Sequence, residues 1–257
     1  MLTFKKKIFI LFTLLPVIGL SQPYSNNPQF NNQFDQPFRG TDVDCGSEFS
    51  NITNCGFETG DFTGWVATDL SAPFTPIGVV VGGMDPGFGF FITAPTEGTF
   101  AAFNGFDGDG PGVIELAQDI IVPVRAGSLT FDYRGAWDLS SFGATVDRTF
   151  DVQIQPSGGG AALKTKTILT APVGNITNDT GNLSGTVDIS SFAGQSVRIA
   201  FVWNIPENFV GPGAFQLDNV AIHAIKIIPS LSVIGIIIMF MVLMIIGTYI
   251  LRRRHII

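Results

Sequence analysis

The C-terminal end of the chain constrains its fold and its location more than any other segment. Residues 227–251 are 25 positions without a charged side chain, and Arg252, Arg253 and Arg254 end this run. Counted from Pro229, a helix that rises about 1.5 Å per residue reaches roughly 34 Å, enough for a hydrocarbon core of about 30 Å. The sequence therefore predicts one C-terminal transmembrane helix. The positive-inside bias places the arginine cluster in the cytoplasm and the preceding residues outside it.

The N-terminal residues agree with export. Three lysines precede an apolar run at 8–20, and the small residues Gly19 and Ser21 stand at positions −3 and −1 of a cut after Ser21. A basic segment, a short apolar segment and small residues before a cleavage point are typical of a secretory signal peptide. We therefore expect residues 1–21 to be a signal peptide. An uncleaved anchor is the alternative, but the run is short and Pro16 interrupts it.

The charge of the exported part excludes one class of partner. Seven of the 14 Lys and Arg and all 21 Asp and Glu lie between residues 22 and 225, so that part carries a formal charge of −14. A surface this acidic repels phosphate backbones, so we expect no nucleic-acid partner. Calcium and neutral or basic polymers suit it better.

The chain has two cysteines, Cys45 and Cys55, and both lie in the exported part. An even pair in an oxidising compartment favours a disulfide, here one that closes a small loop. Two buried thiols are the alternative. The spacing is not that of a metal-binding motif or of a redox motif.

Composition divides the exported part in two. Residues 22–44 are rich in Asn, Gln and Pro, and such a leader is expected to be disordered. Residues 45–225 instead show short runs of alternating apolar residues separated by Gly, Pro, Asn and Asp, which predicts half-buried strands. The nine predicted strands are 78–81, 99–103, 113–122, 128–133, 149–155, 163–169, 185–189, 197–203 and 214–222. This number of strands predicts a single antiparallel β-sandwich, an all-β fold with one domain at 45–225.

Two segments resemble a known superfamily. Residues 54–65 (NCGFETGDFTGW) are similar to the opening motif of galactose-binding-like jelly rolls, which include many carbohydrate-binding modules. Residues 215–222 (FQLDNVAI) resemble the closing strand of the same group, and the resemblance spans about residues 51–223. It implies a jelly-roll sandwich and a role in binding carbohydrate.

The resemblance also implies a structural calcium ion. In that superfamily the Glu of the opening motif and the Asp of the closing strand often meet at one ion, which points here to Glu58 and Asp218. Calcium takes six to eight oxygen ligands, so two carboxylates and backbone carbonyls suit it. The alternative is that Glu58 caps a turn and that Asp218 is a solvated strand residue. Asn219 stands where the family often has a second Asp.

The residues favour binding over catalysis. His223 is the one histidine between residues 22 and 225, and no nucleophile motif accompanies it, so we expect no enzyme activity. Paired carboxylates of a polysaccharide hydrolase stay a minor alternative. A sugar-binding site needs exposed aromatic rings beside polar groups, because rings stack on the apolar faces of pyranoses. Trp137, expected in a loop, is the first candidate for ligand contact, and Phe88, Phe90 and Phe91 come next; Trp65 and Trp203 are expected in the core.

The segment 226–257 resembles the three-part C-terminal sorting signals of bacterial envelope proteins, closest to the IPTL-CTERM type of the PEP-CTERM-like signals. The residues that carry this resemblance are Ile228, Pro229, Ser230, Leu231, Arg252, Arg253 and Arg254. Such signals are thought to be processed by exosortase-type membrane proteases. The chain departs from the pattern at Ser230, Val233 and Ile234. An ordinary single-pass membrane anchor is the alternative.

Together these features predict an exported protein of the bacterial cell envelope. We expect a non-catalytic β-sandwich, tethered or sorted through its C-terminal helix, that binds glycans or sits in an extracellular matrix. A structural or adhesive envelope protein without a small ligand is the alternative.

Overall fold

The computed structural model describes Cys45, residues 50–225 and the helical backbone of residues 233–254. The expected signal peptide at 1–21, the expected leader at 22–44 and the motif residues Ile228, Pro229, Ser230 and Leu231 lie outside the described residues.

Residues 50–225 form two antiparallel β-sheets, so the all-β sandwich predicted from the sequence is confirmed. One sheet has five strands in the order β1-β4-β10-β6-β7, and the other has the order β2-β3-β11-β5-β8, with β9 also paired to β5. The strands are β1 (Val66–Thr68), β2 (Thr75–Val81), β3 (Phe100–Phe106), β4 (Gly112–Ile121), β5 (Ala126–Asp138), β6 (Arg148–Pro156), β7 (Lys164–Ala171), β8 (Ile176–Thr177), β9 (Leu183–Asp188), β10 (Ser196–Ile205) and β11 (Gly213–Ala224). Each of the nine predicted strands overlaps one of them; β1 and β8 are too short for alternation to be detected.

The core lies between the two sheets and is rich in phenylalanine. Phe201 on β10 is 2% exposed, and its ring lies 5.0 Å from the ring of Phe131 and 6.2 Å from that of Trp65. Trp65 and Trp203 are 6% and 4% exposed, so their predicted core positions are confirmed. Alternation with a period of two explains why these strands bury one face, since successive side chains point to opposite sides of a sheet.

The pairing of the strands gives the sandwich two distinct ends. Gly213, at the start of β11, pairs with Trp137 near the end of β5, and Ala224, at the end of β11, pairs with Ala126 at the start of β5. The connections β1–β2, β3–β4, β5–β6 and β10–β11 therefore gather at the Gly213 end, which we call the loop end. The described chain enters and leaves at the opposite end, where the Ile222 amide donates to Ser50 Oγ at 3.4 Å.

A helix, α1 (Val233–Arg254), follows the sandwich and ends in the arginine cluster. Its described side chains between Ile237 and Ile246 are all exposed. Across the described part of the chain, no helix combines the length and the hydropathy that crossing a membrane requires. The membrane anchor stays a prediction from the sequence.

Candidate functional site

A disulfide joins Cys45 to Cys55, as the sequence predicts, with a Cα–Cα distance of 6.1 Å. The backbone carbonyl of Cys55 also accepts a hydrogen bond from the Val220 amide at 3.0 Å. The start of the domain is thus attached both to residue 45 and to the last strand, β11. This attachment brings the opening motif close to the closing strand.

Glu58 and Asp218 bind the same stretch of backbone, residues 96–100, which we call the clamped segment. Glu58 Oε1 accepts hydrogen bonds from the Thr99 and Phe100 amides, both at 2.8 Å. Only a glycine fits at position 98, because a Cβ there would collide with the Glu58 carboxyl group and because its φ is +58°. The two predicted residues therefore lie at opposite ends of one five-residue segment.

Asp218 is fully buried in β11, and both of its carboxylate oxygens accept hydrogen bonds. Its Oδ2 accepts from the Thr96 amide at 2.7 Å and the Glu97 amide at 3.0 Å, and its Oδ1 accepts from the Asn219 amide at 2.7 Å. Burial raises the pKa of Asp218 from 3.8 to about 6, although these backbone hydrogen bonds act in the opposite direction. The alternative of a solvated Asp218 is wrong, because the side chain is 0% exposed. The alternative of a turn cap at Glu58 is also wrong, since its partners are about forty positions away.

Asn219 does not add a ligand to this region. Its φ is +53°, and it lies at the irregularity in the pairing of β5 and β11 between Asp218 and Ala221. The irregularity turns its side chain toward β5, where Nδ2 donates to Asp132 Oδ2 at 3.0 Å.

The clamped segment has part of the donor set that calcium requires. Two carboxylates, Glu58 and Asp218, converge on it, and the Glu97 carboxyl lies so close to Gly56 that a Cβ there would collide with it. Oxygen ligands of this type suit a hard cation. Within the described residues, however, no group of three His, Cys, Asp or Glu side chains is arranged as metal ligands. Backbone carbonyls would have to complete a coordination shell.

Trp137 does not lie in a loop, and this expectation is wrong. It belongs to β5, is 5% exposed and packs with Leu139, Ala144 and Ala171. Its indole Nε1 donates to Asn175 Oδ1 at 3.1 Å. The alternation of β5 breaks at its end, where three consecutive residues are buried, and no local sequence pattern indicates that break. Because Trp137 is only 5% exposed, its ring offers no open face to a sugar.

Exposed aromatic rings lie instead on four loops. Phe74, Phe88, Phe142 and Phe209 are 56%, 46%, 49% and 57% exposed. We call these four residues the phenylalanine rim. Of the other candidates from the sequence, Phe90 and Phe91 are buried under Phe103 and Ala136. Sequence reasoning found Phe88 and missed the other three, although each lies in a short polar stretch between strands.

Backbone contacts connect the loops of the rim. The rings of Phe74 and Phe88 meet edge to face, with centroids 4.7 Å apart. The Phe209 amide donates to the Gly108 carbonyl at 3.0 Å, and Gly108 in turn packs on the Ala72 carbonyl of the loop that carries Phe74. A Cβ on Gly211 would lie 3.1 Å from the Phe142 ring. The rim therefore follows the loop end as one arc.

Phe88 is held in an unfavourable backbone conformation. Its φ is +56°, and Gly87 and Gly89 on either side have φ values of +84° and +71°. A positive φ in a bulky residue costs of order 1 kcal/mol and indicates that the surroundings fix it. Here the Phe74 ring packs against Gly87 and fixes the exposed position of Phe88.

Carboxylates order the loops that carry the rim. Glu207 accepts hydrogen bonds from the Thr145 amide at 2.9 Å, the Thr145 hydroxyl at 2.6 Å and the Val146 amide at 3.0 Å. The Thr145 contacts hold the pKa of Glu207 below its usual value. Asp138 likewise accepts from the Ser140 and Ser141 amides, both at 3.0 Å. The exposed rings thus stand beside ionised carboxylates and hydroxyls.

The outward face of the five-stranded sheet is a second polar surface. Asp151, 7% exposed, accepts from Thr167 Oγ1 and Asn204 Nδ2, both at 2.6 Å. Gln155 Nε2 donates to Glu115 Oε2 at 3.3 Å. The exposed rings of the rim lie on loops away from this face. The face therefore lacks the aromatic surface on which a sugar ring stacks at the rim.

Comparison with known proteins shows similarity in structure alone. No protein-family model matches the chain, and no curated relative does. A carbohydrate-binding module, TmCBM61 in complex with β-1,4-galactotriose, is 13% identical, with 68% of this chain and 99% of that chain covered and a TM-score of 0.41. A cyclase from Fischerella sp. is 18% identical over 67% and 94%, with a TM-score of 0.42. The K1 cleaved adhesin domain of Lys-gingipain from Porphyromonas gingivalis is 18% identical over 66% and 96%, with a TM-score of 0.41. Similarity at this level assigns no function to the chain.

Proposed function

We propose that this chain is an exported, non-catalytic jelly-roll module that binds a neutral glycan through the phenylalanine rim. The observation that carries the proposal is a set of four rings, each about half exposed. Three of them lie on connections at the loop end, and Phe88, on the β2–β3 connection, joins them through its ring contact with Phe74. Apolar side chains of this size are usually buried, so a row of exposed ones indicates a contact surface. The neighbouring carboxylates and hydroxyls supply acceptors and donors for sugar hydroxyl groups.

Charge favours a neutral glycan over an acidic one. Within residues 50–225, Arg148 lies at the loop end but is 1% exposed, and Arg134, beside the loop that carries Phe88, forms an ion pair with Asp179 at 2.7 Å. Asp107, Asp138 and Glu207 lie at that end, so an anionic polymer would meet like charge, and the partly exposed Arg134 is already paired with Asp179. Neutral hydroxyl-rich chains meet no such repulsion.

Binding to a glycan array tests the proposal, with the full-length chain in neutral detergent. We expect Phe209→Ala to weaken binding about tenfold, the effect of losing one aromatic contact. Leu163→Ala is the matched control, because Leu163 is 56% exposed in the β6–β7 connection at the other end. Failure of the wild type to retain any neutral glycan would refute the proposal and favour a structural or adhesive role. Equal losses in both variants would also refute it.

The proposal that the module is non-catalytic rests on the surroundings of its histidine, His223. His223 Nε2 lies 2.8 Å from Thr130 Oγ1 on the neighbouring strand, which leaves it far from the rim. Incubation of the full-length chain with the glycan it binds should release no shorter products. Steady release of reducing ends would make the protein a hydrolase instead.

We further propose that calcium binds at the clamped segment, with Glu58 and Asp218 as ligands. The convergence of both carboxylates on five residues supports this, because one ion would connect the first and last parts of the domain. Calorimetric titration of the chelated protein with calcium should show one site, lost in Asp218→Asn. An absence of heat in the wild type would rule the site out.

The tether is proposed from the sequence alone. The uncharged run and the arginine cluster support a membrane anchor or a sorting signal read by an exosortase-type protease. Because the described domain ends opposite the loop end, such a tether would leave the rim free. Mass spectrometry of the mature protein should find residues 233–254 retained for an anchor, and missing for a processed signal. Recovery of the whole uncleaved chain from the soluble cytoplasm would exclude both.

A further inference from the structure

Arg148 carries a charge inside the sandwich. It is the first residue of β6, and its side chain points between the sheets and is 1% exposed. The guanidinium carbon lies 5.6 Å from the centre of the Phe106 ring, on which the cation stacks. Burial lowers the pKa of Arg148 to about 10, so the group is still charged at neutral pH.

The guanidinium group has no hydrogen-bond acceptor among the described residues. Its Nε, Nη1 and Nη2 atoms are all buried and all unpaired. Asp107 and Glu207 act on it only through space. The carboxylate oxygens of Glu207 accept from Thr145 and Val146 instead. A buried charge without a partner destabilises a fold by several kcal/mol, so this arrangement requires compensation.

A small cavity lies beside Arg148. Its volume is about 10 Å³, and the rings of Trp137, Trp203, Phe150 and Phe215 form much of its wall. A space of this size holds one water molecule or an ion of similar size. Most of the wall is apolar, and Arg148 is the one charged residue that lines it.

We propose that Arg148 binds a small monovalent anion of the chloride class in this cavity. A water molecule could accept one or two of the hydrogen bonds, but it would leave the charge uncompensated in an apolar surrounding. A halide ion accepts several N–H donors at once and also neutralises the charge. The site fixes the start of β6 below the loops that carry Phe142 and Phe209. It is independent of what the rim binds.

Thermal unfolding of the full-length chain tests the site at constant ionic strength, with chloride replaced stepwise by methanesulfonate, whose anion is too large for the cavity. Above the dissociation constant, each tenfold increase in chloride should raise the ratio of folded to unfolded protein about tenfold. Arg148→Met should remove this dependence and still fold, because an apolar side chain of similar length can replace a buried charge. Arg198→Met, at an arginine paired with Asp119 on the surface, should keep it.

Crystals of the wild type soaked in bromide give a direct answer that does not depend on the folding of any variant. We expect an anomalous peak within hydrogen-bonding distance of the Arg148 guanidinium nitrogens. Bromide peaks confined to the outer surface would overturn the proposal. So would a chloride dependence that persists in Arg148→Met, since the effect would then arise elsewhere.

Discussion

Replacing Asp218 by Asn should change how the stability of the domain depends on pH. The wild-type carboxyl group is fully buried, and its pKa rises from 3.8 to about 6 because burial disfavours the charged form. The side-chain amide that replaces it in the variant has the same shape but does not titrate. This amide keeps an acceptor for the Thr96 and Glu97 backbone N–H groups and loses the one that serves the Asn219 N–H.

The sign and size of the effect follow from linkage. Below about pH 4 the carboxyl group is protonated in both the folded and the unfolded protein, and its full contribution to stability is present. As the pH rises toward 6, the unfolded chain ionises first, so this contribution is lost. A shift from 3.8 to about 6 corresponds to about 3 kcal/mol of unfolding free energy, at 1.36 kcal/mol per pKa unit. The variant should therefore gain about 3 kcal/mol relative to the wild type between pH 4 and pH 7.

Urea unfolding of both full-length proteins in the presence of a chelator measures this difference. Subtracting the unfolding free energy of one protein from that of the other cancels the titration of the other carboxylates, because both proteins contain them. A difference that does not change with pH would refute the assignment of the raised pKa to Asp218. In saturating calcium the pH dependence should disappear if the ion binds there, because a cation stabilises the carboxylate.

Three further changes test the packing and the surface charge. Phe201→Ala should lower the unfolding free energy by about 3–5 kcal/mol in urea unfolding, because it empties the centre of the core; a loss below about 1 kcal/mol would contradict that packing. Gly185→Ala should also destabilise the domain in the same assay, because a Cβ there collides with the Phe131 ring, and an unchanged stability would show that the ring can move. Arg198→Met should remove the interaction that holds the pKa of Asp119 below its usual value. The stability difference between wild type and this variant should be present at neutral pH and should fade as the pH falls through the lowered pKa; a difference that persists in acid would have another origin.

The strands could be predicted because their burial alternates. In 128–133 every second side chain faces the core, and that pattern is visible in the sequence. The disulfide was predictable from the compartment, because a pair of cysteines in an exported segment usually forms a disulfide. The convergence of Glu58 and Asp218 on one region came from the resemblance and not from any periodicity.

Exposure in the loops could not be predicted in the same way. Trp137 and Phe142 are five positions apart, yet one is 5% exposed and the other 49%. The difference depends on β7 and β8 and on the loop around Val210, which pack over Trp137 from distant parts of the chain. Arg148 is a different case: alternation with Phe150, Val152 and Ile154 puts position 148 on the inward face, but a charged residue would be expected to end the strand there and not to enter the core.

Hydrogen–deuterium exchange of the full-length chain, with and without the neutral oligosaccharide it retains, tests the central claim most directly. Binding at the rim predicts protection in the loops 69–74, 82–99, 139–147 and 206–212, and unchanged exchange in 157–163 at the opposite end. Protection confined to the strands of the five-stranded sheet, or to the opposite end, would contradict the account.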